Sequence, residues 1–323
     1  DKSDRREFME KGLMLLSSMG MPGIDPVWAE EGPPPEVTSR KRRGSAPFGY
    51  SEVQERLVAS IVKQDPGGFL FKEVLFPLNT DFPEWMAGEW LVRSTLDQVT
   101  FPLGKKYVPS QMDVCVDNQQ WSPFGPCFVP YEKEAEGREY YYRIKFNNEL
   151  GKVHRDHAYN LESLYSAYDV AYDAIGVNYD RKKKVLFANL RSKTAKGPEN
   201  DANLMIRKIR GFGTPRCDFC HTFVNWDLLE ANVKLKDRSN SETRRFEIIS
   251  SYHLTDAINK GLNERGDPEE GDYGDTMEAL QRVVLYLGPQ DERFEEVKGY
   301  AVALIDFKMV FRRIVVDEGF DYD

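Results

Sequence analysis

The chain has 323 residues, 30% of them charged and 41% hydrophobic, with a formal net charge of −9. That length can bury a sizeable core, and the acidic balance excludes a general nucleic-acid binder, which needs a basic face. No run approaches ~20 apolar residues, so the sequence offers no full helical membrane span.

Residues 4–31 read DRREFMEKGLMLLSSMGMPGIDPVWAEE. Arg5-Arg6, then Phe8, an apolar stretch around Leu13–Met21 and Val27-Trp28-Ala29 follow the order of a twin-arginine export signal. The segment resembles the lumen-targeting piece of thylakoid proteins, so residues 1–29 are expected to target or anchor the chain. The alternative is an amphipathic surface helix, because Glu10, Lys11 and Asp25 interrupt the apolar stretch. Residues 30–50 form a Pro-rich, basic linker with little core to hold it. Its cluster Arg40, Lys41, Arg42 and Arg43 is a candidate docking element for anionic headgroups or an acidic partner, or else a solubilising linker.

A lead helix and turn are expected over 51–75. YSEVQERLVASIVKQ, Tyr50–Gln64, spaces Val53, Leu57 and Ile61 four residues apart, with Ser51 as N-cap and Asp65-Pro66-Gly67-Gly68 as the stop. The pattern then changes period. EWLVRSTLDQVTF, REYYYRIKFNN, KKVLFANLRS, ANLMIRKIRGF, RRFEIISSYHL, QRVVLYLG and YAVALIDFKMVFRRIVV are rich in β-branched and aromatic residues and read as strands. Between them NLESLYSAYDVAYDAIG carries Leu161, Leu164, Tyr165, Tyr168 and Tyr172 at helical spacing, with Asn160 as its cap. Residues 263–275 form an acidic Gly-rich insertion and residues 317–323 an acidic tail. No strand is followed by a glycine fingerprint and a helix in a βαβ unit, which argues against a dinucleotide fold. The expected class is mainly β, a single antiparallel barrel over residues 76–316 with short peripheral helices and an extended N-terminal arm.

Gly88-Glu89-Trp90 at the start of the first strand resembles the Gly-x-Trp opening of lipocalins and other calycins. There the Trp packs across the barrel mouth, and the Gly lets the chain come close enough to turn into the strand. A wider resemblance rests on FPEWMAGEWLVRSTLDQVTFPLGKKYV, DHAYNLESL and GYAVALIDFKMVFRRI. These segments are similar to an uncharacterised domain family of plastids and cyanobacteria. Asp156, His157, Ala158, Tyr159 and Asn160 match its middle motif, with His157 in place of Arg. Ala301, Val302, Ala303, Leu304, Ile305, Asp306 and Phe307 match its last, with two aromatic places changed to Ile305 and Phe307. The resemblance spans roughly residues 76–315 and implies a calycin-type barrel and a plastid setting, with no reaction attached. FPLG, residues 101–104, is then a strand end and turn, structural and not catalytic.

The sharpest chemical signal is Cys217-x-x-Cys220-His221, the spacing of covalent c-type haem attachment. Met309, Met277 and His253 are candidate sixth ligands, and a local disulfide or two thiols is the plainer reading. Cys115 and Cys127 are candidates for a disulfide stapling the loop between them. A site using all four Cys for zinc is disfavoured, because the 115–127 spacing is not that of a knuckle. His154-x-x-His157 with Asp156 could hold a metal if it formed one helical turn, against an ordinary hydrogen-bonded role. There is no Gly-x-Ser-x-Gly elbow and no P-loop, and nucleophile, base and oxyanion donor cannot be assembled.

These readings lead to a non-enzymatic accessory subunit of a thylakoid complex, most naturally a photosystem, docked through its N-terminal extension. The lumen or lumenal membrane surface of the chloroplast thylakoid is the expected location. Protein subunits are the expected partners, with membrane-surface contact through residues 1–44, no nucleic acid and no resident cofactor. The alternatives are a lipocalin-like binder of a lipid or pigment, and a redox protein carrying haem c.

Overall fold

The computed structural model describes residues 50–64, 81–108, 136–167, 172–193, 201–213, 222–236, 241–255 and 276–314. The chain divides into Asp1–Gly44 and Ser45–Asp323, and every described residue lies in the second unit. The strands are β1 (Gly88–Thr100), β2 (Glu139–Glu149), β3 (Lys152–Arg155), β4 (Tyr172–Asp180), β5 (Val185–Ser192), β6 (Ala202–Gly213), β7 (Thr222–Leu235), β8 (Ser241–Leu254), β9 (Thr276–Tyr286) and β10 (Ala303–Arg313). Helices α1 (Tyr50–Val58), α2 (His157–Ala167) and α3 (Phe294–Val297) lie between or before them. All ten strands join one sheet in the order β3-β2-β1-β10-β9-β8-β7-β6-β5-β4. Each pairing is antiparallel, and the sheet curls into a half-barrel, so the expected mainly β, antiparallel class is the observed one.

Alternation along the strands separates two faces. Trp90, Val92 and Leu96 of β1, Phe311 and Met309 of β10, and Tyr252 and Leu254 of β8 pack in one concave core. The convex side carries a smaller core in which Val53 and Leu57 of α1 cover Val224, Trp226, Ile249, Val284, Tyr286 and Leu304. Strand β9 is therefore covered on both faces, which is why RVVLY is apolar without alternating. Polar groups fasten α1 in place. Glu247 is only 1% exposed, accepts from Arg56 Nη2 at 2.5 and 2.7 Å, from Trp226 Nε1 at 2.9 Å and from the Tyr286 hydroxyl at 2.7 Å. Burial, and then the Glu247 charge, push the Tyr286 hydroxyl well above its ordinary value. Arg282 pairs with Asp306 at 2.6 and 2.7 Å and donates to the carbonyl oxygens of Arg56 and Ala59, which the end of α1 leaves without helical partners.

The two edge strands, β3 and β4, are consecutive in sequence, and α2 lies in the gap between them. Beyond β3, the outer edge of β2 is finished by side chains. Asn160 accepts from Lys145 N at 2.6 Å and donates to Lys145 O at 3.1 Å, and Ser163 Oγ accepts from Arg143 N at 2.7 Å. Asn160 thus stands where a neighbouring strand's peptide group would be, and the edge is not left open. Across the gap Arg181 donates to both oxygens of Glu149 at 2.6 Å. That pairing first, with help from His154, holds the exposed Glu149 carboxyl down at about 2.

Four expectations are corrected. The first helix ends at Val58; Ile61 lies beyond it, and Val62 is the buried residue there. The helix expected over 160–176 starts at His157 and ends at Ala167, and Tyr172–Asp180 is strand β4. Its cap is Asp156, whose Oδ1 accepts from Tyr159 N at 3.2 Å, while Asn160 serves the sheet edge. Strands β3 and β7 were not anticipated. FPLG is indeed a strand end and turn: Gly104 N donates to Phe101 O at 2.9 Å, with Gly104 at φ 89°. The arm with Arg40, Lys41, Arg42 and Arg43, the acidic insertion, the tail, Cys115, Cys127, Cys217, Cys220 and His221 lie outside the described residues. Among the described residues no helix is long and apolar enough to cross a membrane.

Candidate binding site on the concave face

One end of the half-barrel is plugged by the chain that leads into β1. Phe82 bridges to Val153 of β3 and packs on Phe146 of β2 (centroids 5.1 Å) and Phe223 of β7 (5.2 Å), spanning the concave side. A 3₁₀ turn, Glu84–Met86, buries Trp85 and Met86 behind it. Trp90 is 0% exposed, donates its indole N–H to Met86 O at 2.9 Å, and carries the Arg313 guanidinium 4.3 Å above its ring. Arg313 also donates to the carbonyl oxygens of Trp85 and Ala87. Gly88 adopts φ +115°, and a Cβ there would meet Arg313 Nη1 at 2.9 Å, so both conformation and space demand glycine. Gly88 and Trp90 form this plug together with Phe82, Trp85 and Arg313.

Directly above the plug, strands from both sides of the sheet bring polar groups into the apolar face. Arg155, the last residue of β3, stacks over Phe82 at 5.0 Å. It donates to the Tyr252 hydroxyl at 2.8 Å and to Asn225 Oδ1 at 3.3 Å, and lies 3.5 Å from Asp227 Oδ2. Asn225 Nδ2 donates to Asp227 Oδ2 at 3.0 Å, and Lys208 of β6 reaches Asp227 Oδ1 at 2.5 Å. A register shift between Lys208 and Arg210 turns Gly211 inward, where an added Cβ would sit 2.6 Å from Asp227 Oδ1 and collide with the Lys208 side chain. The missing side chain is what lets Lys208 fold back onto Asp227. Nearby, burial pushes the Tyr142 hydroxyl above its ordinary pKa.

His157, the first residue of α2, completes the set by stacking on Tyr179 of β4 (centroids 4.2 Å). Burial, and then the Arg155 charge, depress it to about 4. A folded value below the unfolded 6.5 means that acid favours the unfolded chain. Stability is expected to be full above about pH 6.5 and to fall by about 3 kcal/mol as the pH drops to about 4, with no further loss from this group below that. Urea titrations across that range check it: His157→Gln should flatten the profile, and an unchanged slope would show that another group is responsible.

His154 and His157, weighed above as a metal pair against an ordinary hydrogen-bonded role, are parted. His154, on β3, contacts Glu149 Oε1 at 3.2 Å and Arg181 at 3.0 Å, whereas His157 heads α2 against Tyr179. Among the described residues no three His, Cys, Asp or Glu side chains come together as a metal site. Of the haem-ligand candidates, Met277 and Met309 are buried in the concave core, while His253 faces the other side of β8 beside Thr222 Oγ1 at 3.3 Å. The polar cluster itself was missed. Its one local trace is Asn225-x-Asp227, two polar residues on the inward face of TFVNWDLLEANV, legible only once that stretch is recognised as a strand.

No curated protein and no solved structure matches this chain. Residues 77–185, which hold Gly88, Trp90, Arg155 and His157 but not Lys208, Asp227 or Tyr252, match the model of a family described only as a domain of unknown function (DUF6816).

Proposed function

We propose that this chain binds a small apolar or amphipathic molecule on the concave face of its half-barrel and does no chemistry on it. One observation carries the reading. Ile206, Leu229 and Ile248 point to the concave side by the alternation of β6, β7 and β8, yet all three stay half-buried while the plugged end is packed solid. Accessible apolar surface inside a curled sheet, beside a few convergent polar groups, suits a guest molecule. The lipocalin-like Gly88-Glu89-Trp90 opening points the same way, as does the pigment- or lipid-binding role that such a likeness implies.

The accessory-subunit reading, with its plastid and thylakoid-lumen setting, is the second proposal and rests on the order of Arg5-Arg6, the apolar stretch and Val27-Trp28-Ala29. A single experiment addresses both. Native membranes are mildly solubilised and fractionated by size, the chain is followed by mass spectrometry, and the same fractions are extracted with organic solvent. A free chain carrying a stoichiometric apolar molecule is the result expected of a binder. Comigration with a chlorophyll-bearing complex and no extractable guest would instead favour the subunit, and a free, empty chain would count against both.

A further inference from the structure

The burial of the concave face is broken in an orderly way on four adjacent strands. On β9 the inward positions 277, 279, 283 and 285 are buried, and Gln281 between them is half-buried. Ile248 stands out in the same way among the described inward residues of β8, and Leu229 among those of β7. On β6 it is Ile206, with Lys208 next to it. Pairing sets the four on one diagonal. Gln281 faces Ser250, two residues from Ile248; Ile248 faces Asp227, two from Leu229; and Leu229 faces Lys208, two from Ile206. Diagonal neighbours of this kind lie about 7–8 Å apart, so the four trace a strip of accessible surface roughly 20 Å long.

Three members of the strip are aliphatic, and the polar one stands at its end. Gln281 donates through Nε2 to Ser250 Oγ at 3.0 Å, and Ser250 is fully buried. Among the described residues no other group bonds the Gln281 amide, so its second half is left for a guest. The register partners of Gln281 are Ser250 and Phe307, both uncharged. The charged groups of this face, gathered about Asp227, begin two strands away, roughly 10 Å off. An ionic head at Gln281 would therefore give up its hydration with no counter-charge in reach. A hydroxyl gives up less, and it suits the amide whichever way that is turned, because it donates to the oxygen or accepts from the nitrogen.

We infer that the guest is an uncharged long-chain alcohol whose hydroxyl bonds the Gln281 side-chain amide and whose chain runs along Ile248, Leu229 and Ile206. This rests on the binding reading above and adds the chemical class of the head and the path of the tail.

The test uses the full chain and needs no variant for its first arm. Hexadecan-1-ol, its methyl ether and hexadecanoic acid compete against a neutral apolar fluorophore already bound to the protein, at neutral pH. The alcohol should bind at least about 5-fold tighter than the ether, which cannot donate, and the acid no tighter than the alcohol. Gln281→Met should remove the difference between alcohol and ether while leaving the affinity for the ether within about two-fold, which also shows that the variant is folded. Leu229→Trp fills the middle of the strip and should weaken alcohol and ether alike, by about 10-fold or more. Equal binding of alcohol and ether, a preference that survives Gln281→Met, or an acid that binds tightest would each overturn the headgroup assignment and leave the binding reading standing. Unchanged binding in Leu229→Trp would overturn the path of the tail. If neither the three competitors nor the fluorophore bind, the binding reading falls, and this inference falls with it.

Discussion

Replacing Arg56 by methionine is expected to destabilise the fold by about 3–5 kcal/mol at neutral pH. Glu247 lies under α1 with 1% of its side chain exposed, and Arg56 is the cation that neutralises it. Trp226 and Tyr286 also donate to its oxygens, but they are neutral and do not offset its charge. Without Arg56 the carboxylate must stay charged without a cation, become protonated, or expel α1 from the Val224–Trp226–Ile249 surface. Each course costs several kcal/mol. Glu247→Gln keeps an acceptor for the Trp226 N–H and can offer its amide N–H to the Tyr286 hydroxyl oxygen, and should lose less. The double variant Arg56→Met/Glu247→Leu should recover part of the loss, since an apolar pair of similar volume costs no desolvation. Urea unfolding of the three variants at neutral pH decides it. A loss below about 1 kcal/mol for Arg56→Met would mean that α1 is not part of the cooperative unit.

Trp90→Ala is the second large expectation, at about 3–5 kcal/mol. The indole is fully buried, and its removal strips Arg313 of the ring beneath it as well as emptying the centre of the plug. Arg313 would still hold the carbonyl oxygens of Trp85 and Ala87, so the turn Glu84–Met86 should keep its path while the packing behind it loosens. Trp90→Phe restores most of the volume and leaves the Met86 carbonyl without its donor, for a loss of about 1–2 kcal/mol. Thermal unfolding followed in the near ultraviolet would check both. A Trp90→Ala protein as stable as the parent would show that the plug is dispensable and that the Gly-x-Trp resemblance has no structural weight here.

How much of this was legible in the sequence follows from where the constraints lie. Strands β1, β2, β5, β6, β8 and β10 announce themselves by alternation or by aromatic, β-branched runs. Strand β9 announces itself by apolarity, because α1 covers its second face. Strand β7 escaped notice because Asn225, Asp227, Glu230 and Asn232 dilute its pattern, and two of those are the inward polar groups of the cluster. Strand β4 was hidden by tyrosines at helical spacing. The spacing of Tyr165 and Tyr172 is real, but pairing with β5, with Gly176 at φ +60°, outweighs the local preference. The Gly88–Trp90 anchor was readable because it is contiguous in sequence. The Arg155–Lys208–Asp227–Tyr252 cluster was not, because its members come from four strands and meet only when the sheet curls.

The gap between β3 and β4 gives the half-barrel an adjustable girth. Nothing described across it belongs to a backbone ladder: it is spanned by α2, by the stacking of His157 on Tyr179 and by the exposed pairing of Arg181 with Glu149. Side chains can part and re-form in small steps, whereas a strand ladder shifts only by whole registers. A molecule entering from that side would therefore widen the wall without unzipping a strand. Amide exchange should record the difference, earliest in α2, β3 and β4 and latest in β8 and β9 beneath α1.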